Sequence, residues 1–258
     1  MSHQETSATI AGCRVRIMRK GEGAPLLFLH GIAGADGWMP FMETLSQTHD
    51  VIVPEHPGFG QSDTPGWLDS VGDLAYFYLD LIRELQLDDV HVVGTSLGGW
   101  IAAEMAIRDP GALKSLTLVA PAGIRVKGVP PGDIFLWSAE ETARNLFHDQ
   151  AFAASVPLPA GDAELLASFK NRETAARLGW NPRLHNPDLP KWLHRIAVPT
   201  LIVWGDDDKV LPVAYAPAYR DLIPGAALEV FPACGHLPHV EKAAEFAETT
   251  LRFLHKAA

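Results

Sequence analysis

The sequence predicts an α/β fold: a mostly parallel central sheet flanked by helices, with an inserted, mainly helical lid. Three observations carry this. Short apolar runs recur along the chain, stretches with helical spacing separate them, and the alternation stops between 122 and 189, where prolines crowd in. With 258 residues and 47% hydrophobic content, the chain can bury one large core.

Taken in order, Thr9 to Met18 alternate apolar and polar side chains ahead of a Gly21-Glu22-Gly23 turn, which suits an edge hairpin before the parallel part. The runs Leu26 to Leu29, Val51 to Val53, Val90 to Val93, Leu116 to Ala120, Leu201 to Trp204 and Ala227 to Phe231 are continuous. Continuous hydrophobicity means both faces of a strand are covered, as in a parallel sheet between helices. Leu74, Tyr78, Leu81 and Leu85 fall at helical spacing behind Ser70 and Asp73, a capping-box pair. Leu97 to Arg108 reads as a second helix, stopped at Asp109-Pro110. The core is therefore expected over 1–121 and 190–258, and the lid over 122–189. Within the lid, Phe135, Trp137, Phe147, Phe152, Phe169 and Trp180 are expected mostly to fill a small core of its own.

Thirty-one acidic against twenty-one basic residues leave a net charge of -10, and no Lys/Arg cluster could track a phosphate backbone, so nucleic acid is not an expected partner. The N-terminal stretch lacks the apolar core of a signal peptide, and no run approaches the ~20 apolar residues of a membrane span. Two cysteines, Cys13 and Cys234, are too few for a disulfide framework or a thiolate metal site. A cytoplasmic protein with a small-molecule substrate is the expectation; no feature fixes an oligomeric state.

The chemistry sits where strands run out. His91-Val92-Val93 leads into Gly94-Thr95-Ser96-Leu97-Gly98-Gly99, which opens the helix. Small flanks permit a sharp strand-to-helix turn that exposes the Ser96 hydroxyl, and the helix aims its first amides at developing negative charge. A serine needs a base and a group to orient that base. Beyond the strand ending at Trp204 comes Gly205-Asp206-Asp207-Asp208, and beyond the strand ending at Phe231 comes Gly235-His236. The chain order Ser, Asp, His, with each residue just past a strand, makes independent roles as a capping Asp and a surface His a poor explanation. For an oxyanion, the loop His30-Gly31-Ile32-Ala33-Gly34 supplies the backbone N–H of Ile32, partnered by that of Leu97, with Ala33 as the alternative donor. Gly31, Trp137 and Leu237 are candidate substrate contacts. His30 is expected to brace the oxyanion loop, His56 to bond the backbone, His239 to sit in a helix's first turn, and Trp100 to join the core.

Two other classes compete. A metal-dependent hydrolase using His30, His56, His236, His239 and the Asp run lacks recognised ligand spacing. A non-catalytic receptor on the same scaffold would leave the Ser, Asp, His constellation unexplained.

Across nearly its whole length the chain resembles the α/β-hydrolase family. LLFLHG, PEHPGFGQSD, VVGTSLGGW, PTLIVWGDDDKVLP and CGHLPHVE match in order. The family's acid loop, G-x-x-D-x-x-x-P, corresponds to Gly205, Asp208 and Pro212, so the resemblance selects Asp208 and leaves Asp206 and Asp207 as solvated turn residues. In G-H-x-P-x-x-E-x-P, Gly235, His236, Pro238 and Glu241 match, while Ala243 replaces the last proline. The resemblance implies a Ser96, His236, Asp208 serine hydrolase of small carboxylic esters, thioesters or lactones, without metal or organic cofactor. Serine at 96 disfavours the haloalkane dehalogenase and epoxide hydrolase branches, which use aspartate there. Meta-cleavage-product C–C hydrolases are the second choice, because Leu237 replaces their usual Trp and the loop at Gly31 is shorter, although Cys234-Gly235-His236 and the lid arginines Arg172, Arg177 and Arg183 are compatible with them.

Overall fold

Each apolar run forms a strand. The computed structural model, which describes residues 2–35 and 37–257, contains β1 (Gln4–Ile10), β2 (Cys13–Lys20), β3 (Ala24–Leu29), β4 (His49–Pro54), β5 (Val90–Thr95), β6 (Leu113–Val119), β7 (Thr200–Gly205) and β8 (Ala227–Phe231). They make one eight-stranded sheet in the order β1-β2-β4-β3-β5-β6-β7-β8. β2 runs antiparallel to β1 and β4, and all other neighbours are parallel. Helices α1 (Pro40–Leu45), α2 (Val71–Glu84) and α3 (Leu97–Arg108) serve the first half. Helices α4 (Ala139–Leu146), α5 (Gln150–Ser155), α6 (Asp162–Gly179) and α7 (Leu189–Trp192) are inserted between β6 and β7, and α8 (Tyr215–Leu222), α9 (Pro238–Glu241) and α10 (Ala243–Ala257) follow.

Successive side chains of the central strands enter opposite cores. Leu27, Leu29 and Val92 pack with Leu74 and Tyr78 of α2, Ile101 and Met105 of α3, and Tyr219 of α8. Leu26, Phe28 and Val93 pack with Phe41 of α1 and Phe246 of α10. That is why these strands read as unbroken apolar runs. β8 departs from the expectation of two covered faces: its Val230 is 39% exposed, because β8 is a sheet edge. The hairpin also differs. It turns at Ala11 and Gly12, and its first strand, Gln4–Ile10, is exposed at most positions. Among the inserted aromatics, Phe147 is buried against Phe152, whereas Phe169 and Trp180 are 65% and 56% exposed. Trp100 is buried as expected, its indole N–H donating to Glu104. The capping box of α2 forms: Asp73 N donates to Ser70 Oγ at 3.3 Å and Ser70 N to the Asp73 carboxylate at 2.7 Å.

The strand order fixes where chemistry can occur. From β3 the chain moves to β4 on one side and then returns to β5 on the other, so β3 and β5 flank a topological switch point. In open α/β sheets, ligands bind outside the carboxyl ends of strands at such a point. The parallel pairing of Leu29 with Gly94 sets the loops after β3 and β5 side by side there.

The helix after β5 must lie almost on the strands. A Cβ at Gly98 would stand 2.0 Å from the Leu29 carbonyl oxygen, and one at Gly94 would stand 2.3 Å from the Gly98 carbonyl oxygen. Both contacts are backbone on backbone, so no side chain can rotate away. Gly98→Ala is expected to destabilise the fold by roughly 1–3 kcal/mol, the usual range for overpacking, read as a lowered urea midpoint. A midpoint equal to the wild type would mean that α3 can lift off the sheet freely.

Candidate active site

Ser96 lies between β5 and α3 with φ 52° and ψ -112°. A positive φ strains a residue bearing a Cβ and persists only where the surroundings over-determine it. They do so here. Ser96 N donates to the Val119 carbonyl at 2.9 Å, and the Ser96 carbonyl accepts from Trp100 N at 3.1 Å and Ala122 N at 3.0 Å. The turn is thereby tied to β6 and to α3, and the side chain is left half-buried at the carboxyl edge of the sheet.

Asp208 and His236 come together across that edge. His236 Nδ1 and Asp208 Oδ2 are 2.8 Å apart, both residues being buried. The other oxygen, Oδ1, accepts from the backbone N–H groups of Val210 and Leu211, each at 2.8 Å. Because the carboxylate accepts, Nδ1 carries the proton and Nε2 presents a lone pair. His236 is fixed from behind as well: its N–H donates to the carbonyl of Leu146, at the end of α4, at 2.8 Å. Glu241 completes the clamp, one oxygen accepting from Gly235 N at 2.7 Å and the other from Asp149 N at 2.6 Å. Asp206 is exposed, as expected of a solvated turn. Asp207 does more than that, pairing with His148 of the insertion at 2.9 Å and with Lys209 at 3.3 Å.

The loop after β3 closes the site opposite. Gly34 N donates to the Gly31 carbonyl at 3.2 Å, making a tight turn with Ile32 and Ala33 at its corners. His30 Nδ1 donates to the same carbonyl at 2.7 Å, and its Nε2 accepts from His56 N at 2.9 Å. The His56 ring stacks on that of His30 at 3.6 Å, donates through Nε2 to the His30 carbonyl at 2.8 Å, and accepts at Nδ1 from the Tyr78 hydroxyl. The bracing role read for His30 and the backbone-bonding role read for His56 are thus both present. Among the described residues, no protein acceptor meets the N–H of Ile32, Ala33 or Leu97.

The sequence-predicted residues therefore assemble in two groups: Asp208 with His236, and Ser96 with the Gly31 loop, where a Cβ on Gly31 would stand 3.5 Å from that of Ser96. Among the described residues no hydrogen bond joins Ser96 to His236. Trp137 is half-buried beside Gly132, whose N–H donates to the Val210 carbonyl of the acid loop at 2.8 Å, and half-buried Leu237 opens α9. His239 occupies the first turn of α9, its ring enclosed by Phe28, Phe41 and Phe246. No group of three His, Cys, Asp or Glu among the described residues is placed to hold a metal ion, and no described helix is long and apolar enough to cross a membrane. Sequence reasoning missed Leu146 as a support of His236 and His148 as a partner of Asp207, and it named Glu241 as a motif match without its clamping role. Leu146 acts through its carbonyl, which leaves no trace in residue type.

A model described as the alpha/beta hydrolase family matches residues 26–249. The chain belongs to that family. The dihydrolipoyllysine-residue acetyltransferase component of the acetoin cleaving system of Cupriavidus necator is 31% identical over 254 residues, which are 93% of this chain and 66% of that protein. The 2-hydroxymuconate semialdehyde hydrolase of Pseudomonas sp. strain CF600 is 28% identical over 280 residues, 96% of this chain and 92% of that one. Among solved structures, a membrane phospholipase A superposes with a TM-score of 0.86 at 26% identity, covering 99% of this chain and 87% of the other. Hydrolase-named relatives of matching length make the protein an alpha/beta hydrolase enzyme.

The site of this hydrolase rests on histidines that are costly to charge. Burial pushes His30 down to about 4, and burial with the neighbouring His236 pushes His239 down to about 3. Their unfolded counterparts titrate near 6.5. Between those values the unfolded chain binds the extra protons, so stability falls as pH drops from 6.5 through 4. Each group contributes up to about 1.36 kcal/mol per pH unit. Urea midpoints measured from pH 7.5 to 4.5 should decline accordingly, and His239→Phe, which completes an aromatic box, should flatten the slope by up to about one proton. An unchanged slope in that variant would place the acid sensitivity elsewhere.

Proposed function

We propose that this alpha/beta hydrolase cleaves small carboxylic esters, thioesters or lactones through an acyl-enzyme on Ser96. The observation that carries the reading is the Asp208–His236 bond, which leaves Nε2 as the free base beside the sheet edge where Ser96 is held in its strained turn. The Ser96–His236 hydrogen bond that the mechanism needs is of the kind that tightens once substrate is bound.

In the first half-reaction, Ser96 Oγ attacks the carbonyl carbon while its proton passes to His236 Nε2. The carbonyl oxygen becomes an oxyanion that accepts from the N–H groups of Ile32 and Leu97, which meet no protein acceptor among the described residues. The tetrahedral adduct collapses, the leaving oxygen or sulfur takes the proton from Nε2, and the Ser96 ester remains. Water then loses a proton to Nε2 and attacks the acyl carbon. Collapse returns the proton to Ser96 Oγ and releases the acid. Asp208 holds the imidazole in the required tautomer and stabilises the imidazolium. Gly31, Trp137 and Leu237 would contact the substrate beneath the lid, 122–189, and the chemistry calls for no metal or organic cofactor. Cytoplasm is the assigned compartment, in keeping with two free, buried cysteines.

A second reading, hydrolysis of a C–C bond in a meta-cleavage-type dienoate, is favoured by the relative named for 2-hydroxymuconate semialdehyde. The arginines that could receive such a dianionic substrate are engaged within the lid. Arg183 stacks on Trp180 at 4.0 Å and pairs with Asp133 at 3.2 Å, Arg177 lies 3.7 Å from Glu173, and Arg172 reaches the Phe135 carbonyl. The ester reading therefore ranks first.

A fluorophosphonate should label the protein at one residue, Ser96, with labelling lost in Ser96→Ala and strongly slowed in His236→Ala. Asp208→Asn should lower kcat by about four orders of magnitude, since it stabilises the wrong tautomer. Absence of an adduct, under conditions that label a control esterase, would sink the ester reading. Turnover of a dienoate far faster than of 4-nitrophenyl acetate or a small lactone would move the assignment to C–C hydrolysis.

A further inference from the structure

The longest helix of the insertion, α6, sends Lys170, Asn171 and Thr174 to the loops that follow β3 and β4. Lys170 donates to the Gly60 carbonyl at 3.0 Å and to that of Ser62. Thr174 Oγ1 donates to the Gly58 carbonyl at 2.6 Å. Asn171 differs from both, because it reaches two loops at once. Its Oδ1 accepts from Gly60 N at 2.8 Å, and its Nδ2 donates to the Ala33 carbonyl at 2.7 Å. The side chain is buried, only 5% exposed. Rotating the amide by a half-turn would set donor against donor at Gly60 and acceptor against acceptor at Ala33, so its orientation is determined.

Ala33 is a corner of the turn that presents the Ile32 N–H. Along that turn alternate carbonyls are held: Gly31 by His30 Nδ1 at 2.7 Å, Ala33 by Asn171 at 2.7 Å, and Ala35 by an Arg16 guanidinium nitrogen at 3.0 Å. The peptide that follows Ala33 is gripped at both ends, since its N–H, that of Gly34, donates to Gly31. A backbone donor stabilises an oxyanion only when it stands about 2.7–3.1 Å from where the charge develops, so the value of the Ile32 amide depends on how firmly this turn is fixed.

We propose that Asn171 is a positioning residue: the lid helix uses it to hold the oxyanion loop in register with Ser96. The inference rests on the reading of Ile32 and Leu97 as oxyanion donors. It assigns Asn171 no contact with substrate. Its effect is transmitted through the Ala33 carbonyl to the turn that presents the Ile32 N–H.

The test uses the full-length enzyme and an isosteric change. Asn171→Asp keeps the acceptor for Gly60 N and replaces the donor to Ala33 with a second oxygen. With 4-nitrophenyl acetate, kcat should fall about 10- to 100-fold, short of the 10²–10³ expected for loss of a whole donor. KM should stay within about twofold, as for an interaction made in the transition state alone. Inhibition by a boronic acid, which forms a tetrahedral adduct on serine, should weaken in parallel with kcat. Hydrogen exchange of the 31–35 segment should quicken. Thr174→Val removes a bond from the same helix without touching that segment; it should lower the unfolding temperature while leaving kcat and exchange at 31–35 as they were. An Asn171→Asp enzyme with wild-type kcat and exchange, or a Thr174→Val enzyme with the same loss of kcat, overturns the proposal while the hydrolytic reading stands. A wild-type enzyme that neither turns over the ester nor takes up a fluorophosphonate at Ser96 overturns that reading and, with it, the role of Asn171.

Discussion

The parallel pairing of β3 with β5 is the constraint from which the site follows. Because Leu29 lies opposite Gly94, the residues immediately beyond each strand emerge as neighbours: His30 to Gly34 on one side and Ser96 on the other. A shift of register would separate them by several ångströms along the strand axis. The approach of α3 to the sheet depends on the same pairing, since the Leu29 carbonyl occupies the space a side chain at Gly98 would need. A serine forced into a left-handed turn, a helix pressed onto the strands, and a loop whose Ile32 and Ala33 N–H groups meet no acceptor among the described residues are thus three aspects of one packing arrangement.

Around that arrangement lies a polar framework in which most groups find partners. His30, His56 and Tyr78 form a buried chain, and the buried Glu55 accepts from the backbone N–H groups of Gln61 and Ser62 at 2.6 and 2.8 Å. Buried polar groups are costly only when left unpaired, and satisfied networks rigidify what they touch. There are departures among the described residues: Thr95 Oγ1, next to Ser96, and His239 Nδ1, among aromatic rings, are both buried without a partner. Geometry at the loops is thereby maintained by hydrogen bonds of fixed direction, which suits donors that must be aimed before substrate arrives.

Much of this was legible in the sequence. The strands show themselves as apolar runs because both faces are covered, and Ser96 is visible because small residues at 94 and 98 stand between a strand and a helix. The choice of Asp208 over its two acidic neighbours needed the family's spacing; in the structure Asp208 is the buried one of the three. β1 was invisible beyond its last residues, since an exposed edge strand such as Gln4–Ile10 has no reason to be apolar. Phe169 and Trp180 misled, because aromatic residues on a small insertion have too little core to enter. Asn171 carries no signal at all: its partner Ala33 lies 138 residues away, and the contact is with a carbonyl that any residue would offer.

The bonds that Leu146 makes to His236 and Asp149 to Glu241, and those that Lys170, Asn171 and Thr174 make to the loops after β3 and β4, divide the insertion unevenly. Its two flanks are stitched into the catalytic scaffold, while the stretch between them, α5 and the first half of α6, carries the exposed Leu158, Leu166 and Phe169. Anyone transplanting a new specificity onto this scaffold would therefore graft between about 150 and 168 and leave the flanks in place. A swap of the whole insertion would remove the Leu146 carbonyl that holds His236 N and the Asp149 N–H that holds Glu241.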